Sequence, residues 1–340
     1  MIITVDCGTT NMRSRLYKEE DLVDEVRRKA GVRNTAFSGS TEFLVTSLKE
    51  SIAELLERNE LNESDIEVVI SSGTLSSDVG IHTIPHVLAP VGLKETAAHA
   101  EMVTMPEITG IPILFLPGVK TLPASGSPDG NEYIEILDSM SGEECETYGI
   151  SKLLGIKGDF VITLPGSYTK TLEVDHDGRI TSMRTGMCGE FIAAIAEHTL
   201  LRHSLPDPPI RVIIPDKLCR GYDYCRKHGA SPSLIKARMV RVHGGWSEDE
   251  TGNFYVGTAL ADDIRLTLEV YKKGKPVILG GTFPLRNVFE ILLKHAGIDE
   301  SDLIVTDDLT AKIASNIGAM EVYNEYMKSI TGDRSDGKTV

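Results

Sequence analysis

At 340 residues the chain is long for a single core, and the usual prior of about 100–200 residues per domain predicts two domains. It is 41% hydrophobic and 25% charged, the balance of a soluble globular protein, and its formal net charge of −15 excludes a general nucleic-acid or anionic-membrane surface built from clustered Lys and Arg. No apolar run approaches the roughly 20 residues of a membrane span and no secretory signal is visible, so a cytoplasmic protein is expected. Five scattered cysteines without a C-x-x-C pair read as free thiols.

The chain opens with MIITVDCGTTNMRSRLY. A β-rich run, Ile2 to Val5, delivers Asp6 into a turn at Gly8, followed by Thr9, Thr10, Asn11 and Arg13. Gly8 lets backbone N–H groups approach phosphate oxygens, the threonine hydroxyls can donate to them, and the Asp6 carboxylate can hold Mg²⁺ directly or through water. Taken alone, the segment fits an ordinary edge hairpin equally well. Apolar residues from Leu44 to Leu56 recur at helical spacing and predict a helix over 41–58; 67–72 reads as a buried strand ending at Gly73. The segment 73–92 is rich in Gly, Pro and Ser and follows a strand end, where open α/β sheets place ligands. Its His82 and His86 read as loop or packing residues, because Pro85 breaks any helix that would align them on a metal. A strand at 111–116 precedes a turn-rich segment at 123–130 expected to be a mobile loop. A short helix then ends at Leu154, and a domain boundary is expected near 155–158.

The second half restarts as the first does. A strand at 159–164, a turn Pro165-Gly166-Ser167-Tyr168-Thr169-Lys170 and strands at 171–174 and on to Arg184 follow one another. Gly166 and Ser167 fall on Gly8 and Thr9, and Lys170 falls near Arg13, a hint of duplication that two common hairpins could also produce by coincidence. Further expectations are a helix at 189–201, a strand at 210–214, one long helix at 254–271 and a strand at 276–281 entering Gly280-Gly281. A helix from Leu285 to His295, a strand at 303–305 and a helix at 308–330 follow, and the tail from Thr331 is expected to fray. A double glycine between strand and helix lets the chain pass close to a flat ligand such as adenine.

Four blocks together resemble the 2-dehydro-3-deoxygalactonokinase family of the actin-like ATPase and sugar-kinase superfamily. The opening D-x-G-[ST]-T-N-x-R stands here as Asp6, Gly8, Thr9, Thr10, Asn11 and Arg13. An M-R-G-E-E-T block matches Met140, Gly142, Glu143 and Glu144; P-G-T-H-x-K matches Pro165, Gly166 and Lys170; F-R-T-x-x-x-G-E matches Arg184, Thr185, Gly189 and Glu190. Cys7, Ser141, Cys145 and Tyr168 depart from the pattern. Ser141 removes an arginine near the site expected to bind a sugar acid, which leaves the exact substrate open.

The resemblance implies an α/β fold of two duplicated actin-like ATPase, ribonuclease H-like domains around an interdomain cleft, divided as 1–155 and 156–340, with the terminal helix able to pack back on the first. It implies an ATP-dependent kinase phosphorylating the terminal hydroxyl of 2-dehydro-3-deoxy-galactonate or a related acid, with ATP and Mg²⁺ as cofactors and room for a homodimer. Asp6 would hold the metal. Gly8, Thr9, Thr10, Gly166 and Ser167 would bind phosphates, and Gly280 and Gly281 would pass beneath the adenosine. Glu143 or Glu144 would be the base, and Asn11, Arg13, Lys170 and Arg184 would meet the substrate. The competing reading is a nucleotide or sugar-acid sensor of the same superfamily.

Overall fold

Ile3, Val5 and Cys7 alternate into the core along β1 (Ile2–Cys7), while Thr4 on the opposite face is buried too, as in a strand covered on both sides. The computed structural model describes residues 1–123 and 130–336, and the turn-rich stretch expected to be a loop therefore lies largely outside the described residues. Contacts divide the chain into two compact units: 1–158 with 175–182 and the chain from 312 onward, and 159–174 with 183–311. A single cut near 155–158 thus does not describe the partition, because two later segments return to the first unit.

In the first unit β1 pairs antiparallel with β2 (Met12–Lys18), with Asp6 opposite Arg13, and β2 pairs with β3 (Asp21–Arg28). α1 (Val32–Ser38) and α2 (Glu42–Arg58) follow; Leu44, Leu48, Ile52 and Leu55 form the buried stripe of α2 that the spacing predicts. β4 (Val68–Gly73) lies parallel to β1 and is buried throughout. Next come β5 (Val87–Leu88), α3 (Leu93–Ala98), β6 (Glu101–Met105) and β7 (Thr109–Phe115), completing a sheet in the order β3-β2-β1-β4-β7-β6. β8 (Val119–Thr121), α4 (Asn131–Ile136) and β9 (Asp138–Met140) precede α5 (Glu143–Leu154).

The second unit carries β10 (Phe160–Leu164), β11 (Thr169–Val174), most of β12 (Ile180–Gly186), α6 (Cys188–His198), α7 (Pro215–His228), α8 (Ala230–Val242), α9 (Glu248–Ala259) and α10 (Ala261–Val270). It continues through β13 (Val277–Leu279), α11 (Leu285–His295) and β14 (Leu303–Val305) to the start of α12 (Asp308–Asp336), which runs on into the first unit. Its sheet order is β12-β11-β10-β13-β14. As β1 does with β2 and β4, β10 pairs antiparallel with the next strand and parallel with a later one, β13.

Two expected elements differ. Residues 210–214 are not a strand: Asn253 accepts from the Ile214 N–H at 2.7 Å and donates to the Val212 carbonyl at 2.8 Å, so a side chain meets the backbone groups a neighbouring strand would have met. The helix expected over 254–271 is two helices meeting at Leu260, and α9 starts earlier, at a capping box of Ser247 and Glu250. Every residue from Thr251 to Ala259 is buried, so no amphipathic stripe marks that start. The final helix also runs past Thr331 to Asp336. All five cysteines are free, and no described helix is long and apolar enough to cross a membrane.

Candidate functional site

In the first unit the turn between β1 and β2 is held from behind. Thr74 Oγ1 donates to the carbonyls of Cys7 (2.9 Å) and Gly8 (3.2 Å), and Arg33 N–H donates to the Thr9 carbonyl at 3.0 Å. Tying those carbonyls to the protein removes oxygens that would repel a phosphate and leaves a turn of glycine and hydroxyls at the half-buried surface. Asn11 Nδ2 donates to Thr10 Oγ1 at 3.0 Å, and Arg13 reaches Asp6 Oδ2 at 3.2 Å.

α5 brings the acidic block to the same strand ends. Gly142 precedes it with φ +114°, a region that favours glycine, and a Cβ there would stand 3.2 Å from the Gly73 Cα. Gly73, with φ +86°, in turn presses on the Cys7 carbonyl. Behind this contact, Gly149 of α5 lies on the Ala314 carbonyl and Gly318 of α12 on the Cys145 carbonyl, so the two helices cross backbone to backbone. The start of α5 is thereby fixed beside Asp6.

The two glutamates of the block part company. Glu144 is 1% exposed, and both of its oxygens accept the Gly142 N–H, at 2.9 and 2.8 Å. Burial, with the neighbouring charge of Glu143, raises its pKa to about 8. Glu143 is partly exposed, and its backbone carbonyl anchors Thr147. Glu146, one helical turn on, was not singled out in the sequence. It is partly exposed, and burial together with Glu143 and Asp6 raises its pKa to about 8 against the opposing pull of Arg13. The spacing i, i+3 from Glu143 would have placed it on the same helix face once the start of α5 was known.

In the second unit the Gly166-Ser167 turn sits on the start of α6, whose Gly189 and Glu190 N–H groups donate to the Gly166 (3.2 Å) and Ser167 (3.0 Å) carbonyls. Gly280 donates to the Thr163 carbonyl at 2.9 Å, and a Cβ on Gly281, at φ +80°, would stand 2.9 Å from the Pro165 carbonyl. The two glycine turns of this unit are therefore adjacent. Lys170 is buried and donates to Thr185 Oγ1 at 2.6 Å. Arg184 lies 3.7 Å from Glu173 and 3.8 Å from Glu269. Outside these clusters, His82 meets Glu101 at 2.7 Å and His86 meets Ser141 Oγ at 3.0 Å.

Two such sheets, with a glycine-hydroxyl turn at the end of the first strand of each, define an α/β protein of the actin-like ATPase and sugar-kinase type. A solved structure from Sinorhizobium meliloti, provisionally named 2-dehydro-3-deoxygalactonokinase, superposes with a TM-score of 0.75 at 20% identity over 95% of this chain and 96% of that one. The model of the 2-keto-3-deoxy-galactonokinase family matches residues 6–315, and the chain belongs to that family. It is 26% identical over 263 residues to the 2-dehydro-3-deoxygalactonokinase of Escherichia coli (strain K12), covering 77% of this chain and 78% of the relative. A protein of Rhizobium meliloti (strain 1021), provisionally given the same activity, is 27% identical over 204 residues, 60% of this chain and 58% of the relative. Membership makes the chain an enzyme, a carbohydrate kinase.

Proposed function

We propose that this kinase transfers the γ-phosphoryl of ATP to the terminal hydroxyl of 2-dehydro-3-deoxy-galactonate or a closely related 2-keto-3-deoxy acid, with Glu143 as the base. The observation that carries the assignment is the seating of Gly142 on Gly73, which sets Glu143 at the strand ends that bear Asp6 and the Gly8–Thr10 turn. Glu144, committed to the Gly142 N–H and buried, supports that turn instead. Glu143 takes the proton as the hydroxyl oxygen attacks phosphorus, a step in which general base catalysis contributes about 10²–10⁴-fold. The rest is positioning and charge neutralisation. Gly8, Thr9, Thr10, Gly166 and Ser167 supply donors to phosphate oxygens, Gly280 and Gly281 pass beneath the adenosine, and the two units are duplicated domains of one ancestral design.

Mg²⁺ fits the donor set. Asp6 lies near the start of α5, where burial first and then the neighbouring carboxylate charges, Glu143 for Glu144 and Glu143 with Asp6 for Glu146, raise the pKa values of Glu144 and Glu146. Among the described residues no cluster of three ligands could hold a metal directly. In this reading Asp6 would hold the ion, with water and phosphate oxygens completing its shell. Bound there, it would neutralise phosphate charge. ATP as substrate and five free thiols suit the cytoplasm.

The test is ADP release from ATP and Mg²⁺ with a panel of sugar acids. Release that depends on a 2-keto-3-deoxy acid supports the reading; ATP binding without acid-dependent release from any member of the panel sinks it in favour of a sensor.

A further inference from the structure

In the second unit the Gly166-Ser167 turn rests on the start of α6, and the start of α6 is held by a buried carboxyl, that of Asp263 on α10. We propose that Asp263 is a positioning residue for the nucleotide phosphates: it clamps α6, and α6 keeps the turn in the shape that receives them. The inference rests on the reading of that turn as a phosphate grip and goes beyond it, since Asp263 stands outside every block that carries the family resemblance.

Three observations carry it. First, the leading donors of α6 are divided between Asp263 and the turn. A helix leaves its first N–H groups without intrahelical partners. Here the Cys188 N–H donates to Asp263 Oδ1 at 3.3 Å, the Gly189 N–H to the Gly166 carbonyl at 3.2 Å and the Glu190 N–H to the Ser167 carbonyl at 3.0 Å. With Phe191, whose N–H donates to the Met187 carbonyl at 2.7 Å, the helical ladder begins. Consecutive donors thus fix one side chain and two backbone carbonyls, and carbonyl oxygens tied up in this way are withheld from an anion that the turn receives.

Second, α10 also grips the strands that flank the turn. Thr267, one helical turn after Asp263 and so on the same face of α10, pairs its hydroxyl with that of Thr163 on β10 at 2.9 Å and that of Thr171 on β11 at 3.3 Å. All three threonines are fully buried. The turn runs between those two strands. One face of α10 therefore ties the strand that enters the turn, the strand that leaves it and, through Asp263, the helix on which it rests, which is what holding a phosphate site to a fixed geometry requires.

Third, the space beside Asp263 is kept for its carboxyl. Gly186, the last residue of β12, leaves no room for a side chain: a Cβ there would stand 2.1 Å from Asp263 Oδ1 and 2.6 Å from its Cγ. Asp263 is 5% exposed, and burial, with the charge of Asp262 adding to it, raises its pKa. A fold that bears the cost of a buried carboxyl beside a turn read as a polyanion grip needs its oxygen as an acceptor rather than its charge.

The experiment is calorimetric titration of the intact protein, wild type and the variants Asp263→Ala, Asp263→Asn and Gly186→Ala, with a non-hydrolysable ATP analogue and with 2-dehydro-3-deoxy-galactonate. Asp263→Ala should raise the Kd of the analogue at least about fivefold, the worth of one hydrogen bond, while the Kd of the acid moves less than about twofold. Asp263→Asn, whose amide oxygen still accepts from the Cys188 N–H, should return the analogue to within about twofold of the wild type. Gly186→Ala keeps the carboxyl but displaces it, so it should weaken the analogue as Asp263→Ala does, and it carries the test if Asp263→Ala does not fold. An unchanged Kd of the analogue in Asp263→Ala or Gly186→Ala overturns the inference, as does an equal rise for analogue and acid, the mark of a general loosening. Asp263→Asn as weak as Asp263→Ala overturns it too, because the clamp needs only an acceptor. A wild type that binds the analogue but releases no ADP with any acid removes the kinase reading, and the clamp is then judged by the analogue alone. A wild type that binds no analogue removes both.

Discussion

Replacing Glu144 by Gln separates the two carboxylates that the sequence left equivalent. Gln keeps the volume of Glu144 and an oxygen for the Gly142 N–H, but it cannot ionise in a site that is 1% exposed. The folded protein holds the Glu144 proton up to about pH 8, against 4.5 for an unperturbed carboxyl. Below pH 4.5 the folded and unfolded chains are both protonated and ionisation costs nothing. As pH rises the unfolded chain gives up the proton first, so the wild type loses stability until the folded carboxyl also ionises near pH 8. At about 1.4 kcal/mol per pH unit the loss reaches at most about 3.5 kcal/mol at pH 7 and about 5 kcal/mol above pH 8. Glu144→Gln should therefore match the wild type in urea midpoint near pH 4.5 and exceed it increasingly from pH 5 to 8.5, while kcat for acid-dependent ADP release stays within about threefold. Glu143→Gln should lose at least about 100-fold in kcat. A stability difference that does not change with pH, or a collapse of kcat in Glu144→Gln with Glu143→Gln spared, would refute the division of roles.

Other outcomes follow from the same geometry. Asp6→Asn should lower kcat at least about 100-fold and weaken the dependence on Mg²⁺ in a metal titration of ADP release, as the proposed role of Asp6 as the metal-holding carboxylate requires; saturation with Mg²⁺ at the wild-type concentration would remove Asp6 from that role. Gly149→Ala would place a Cβ 1.8 Å from the Ala314 carbonyl, and the backbone of α12 would have to move. Urea denaturation should show a loss of about 2–3 kcal/mol, as overpacking does. Gly281→Ala, at φ +80° and 2.9 Å from the Pro165 carbonyl, should raise the Kd for the ATP analogue severalfold without altering the Kd for the sugar acid, as read by titration.

What the sequence made legible was what local chemistry decides. The two hairpins announce themselves because in each a β-rich apolar run leads into a turn that carries a glycine and a hydroxyl, and α2 because its leucines recur at helical spacing. β3 was missed since its sequence, DLVDEVRR, is that of a charged edge strand, and only Val26 on it is buried. α7 was missed although Pro215 stands at its first turn, because its stretch PDKLCRGYDYCRKH reads as solvated. The roles proposed for Glu143 and Glu144 depend on something no spacing encodes. Gly142 must reach φ +114° against Gly73 before one carboxylate turns back onto its N–H and the other is left at the strand ends. The candidate site residues were thus readable as blocks, whereas the choice among neighbours within a block is made by burial and backbone contact from distant parts of the chain.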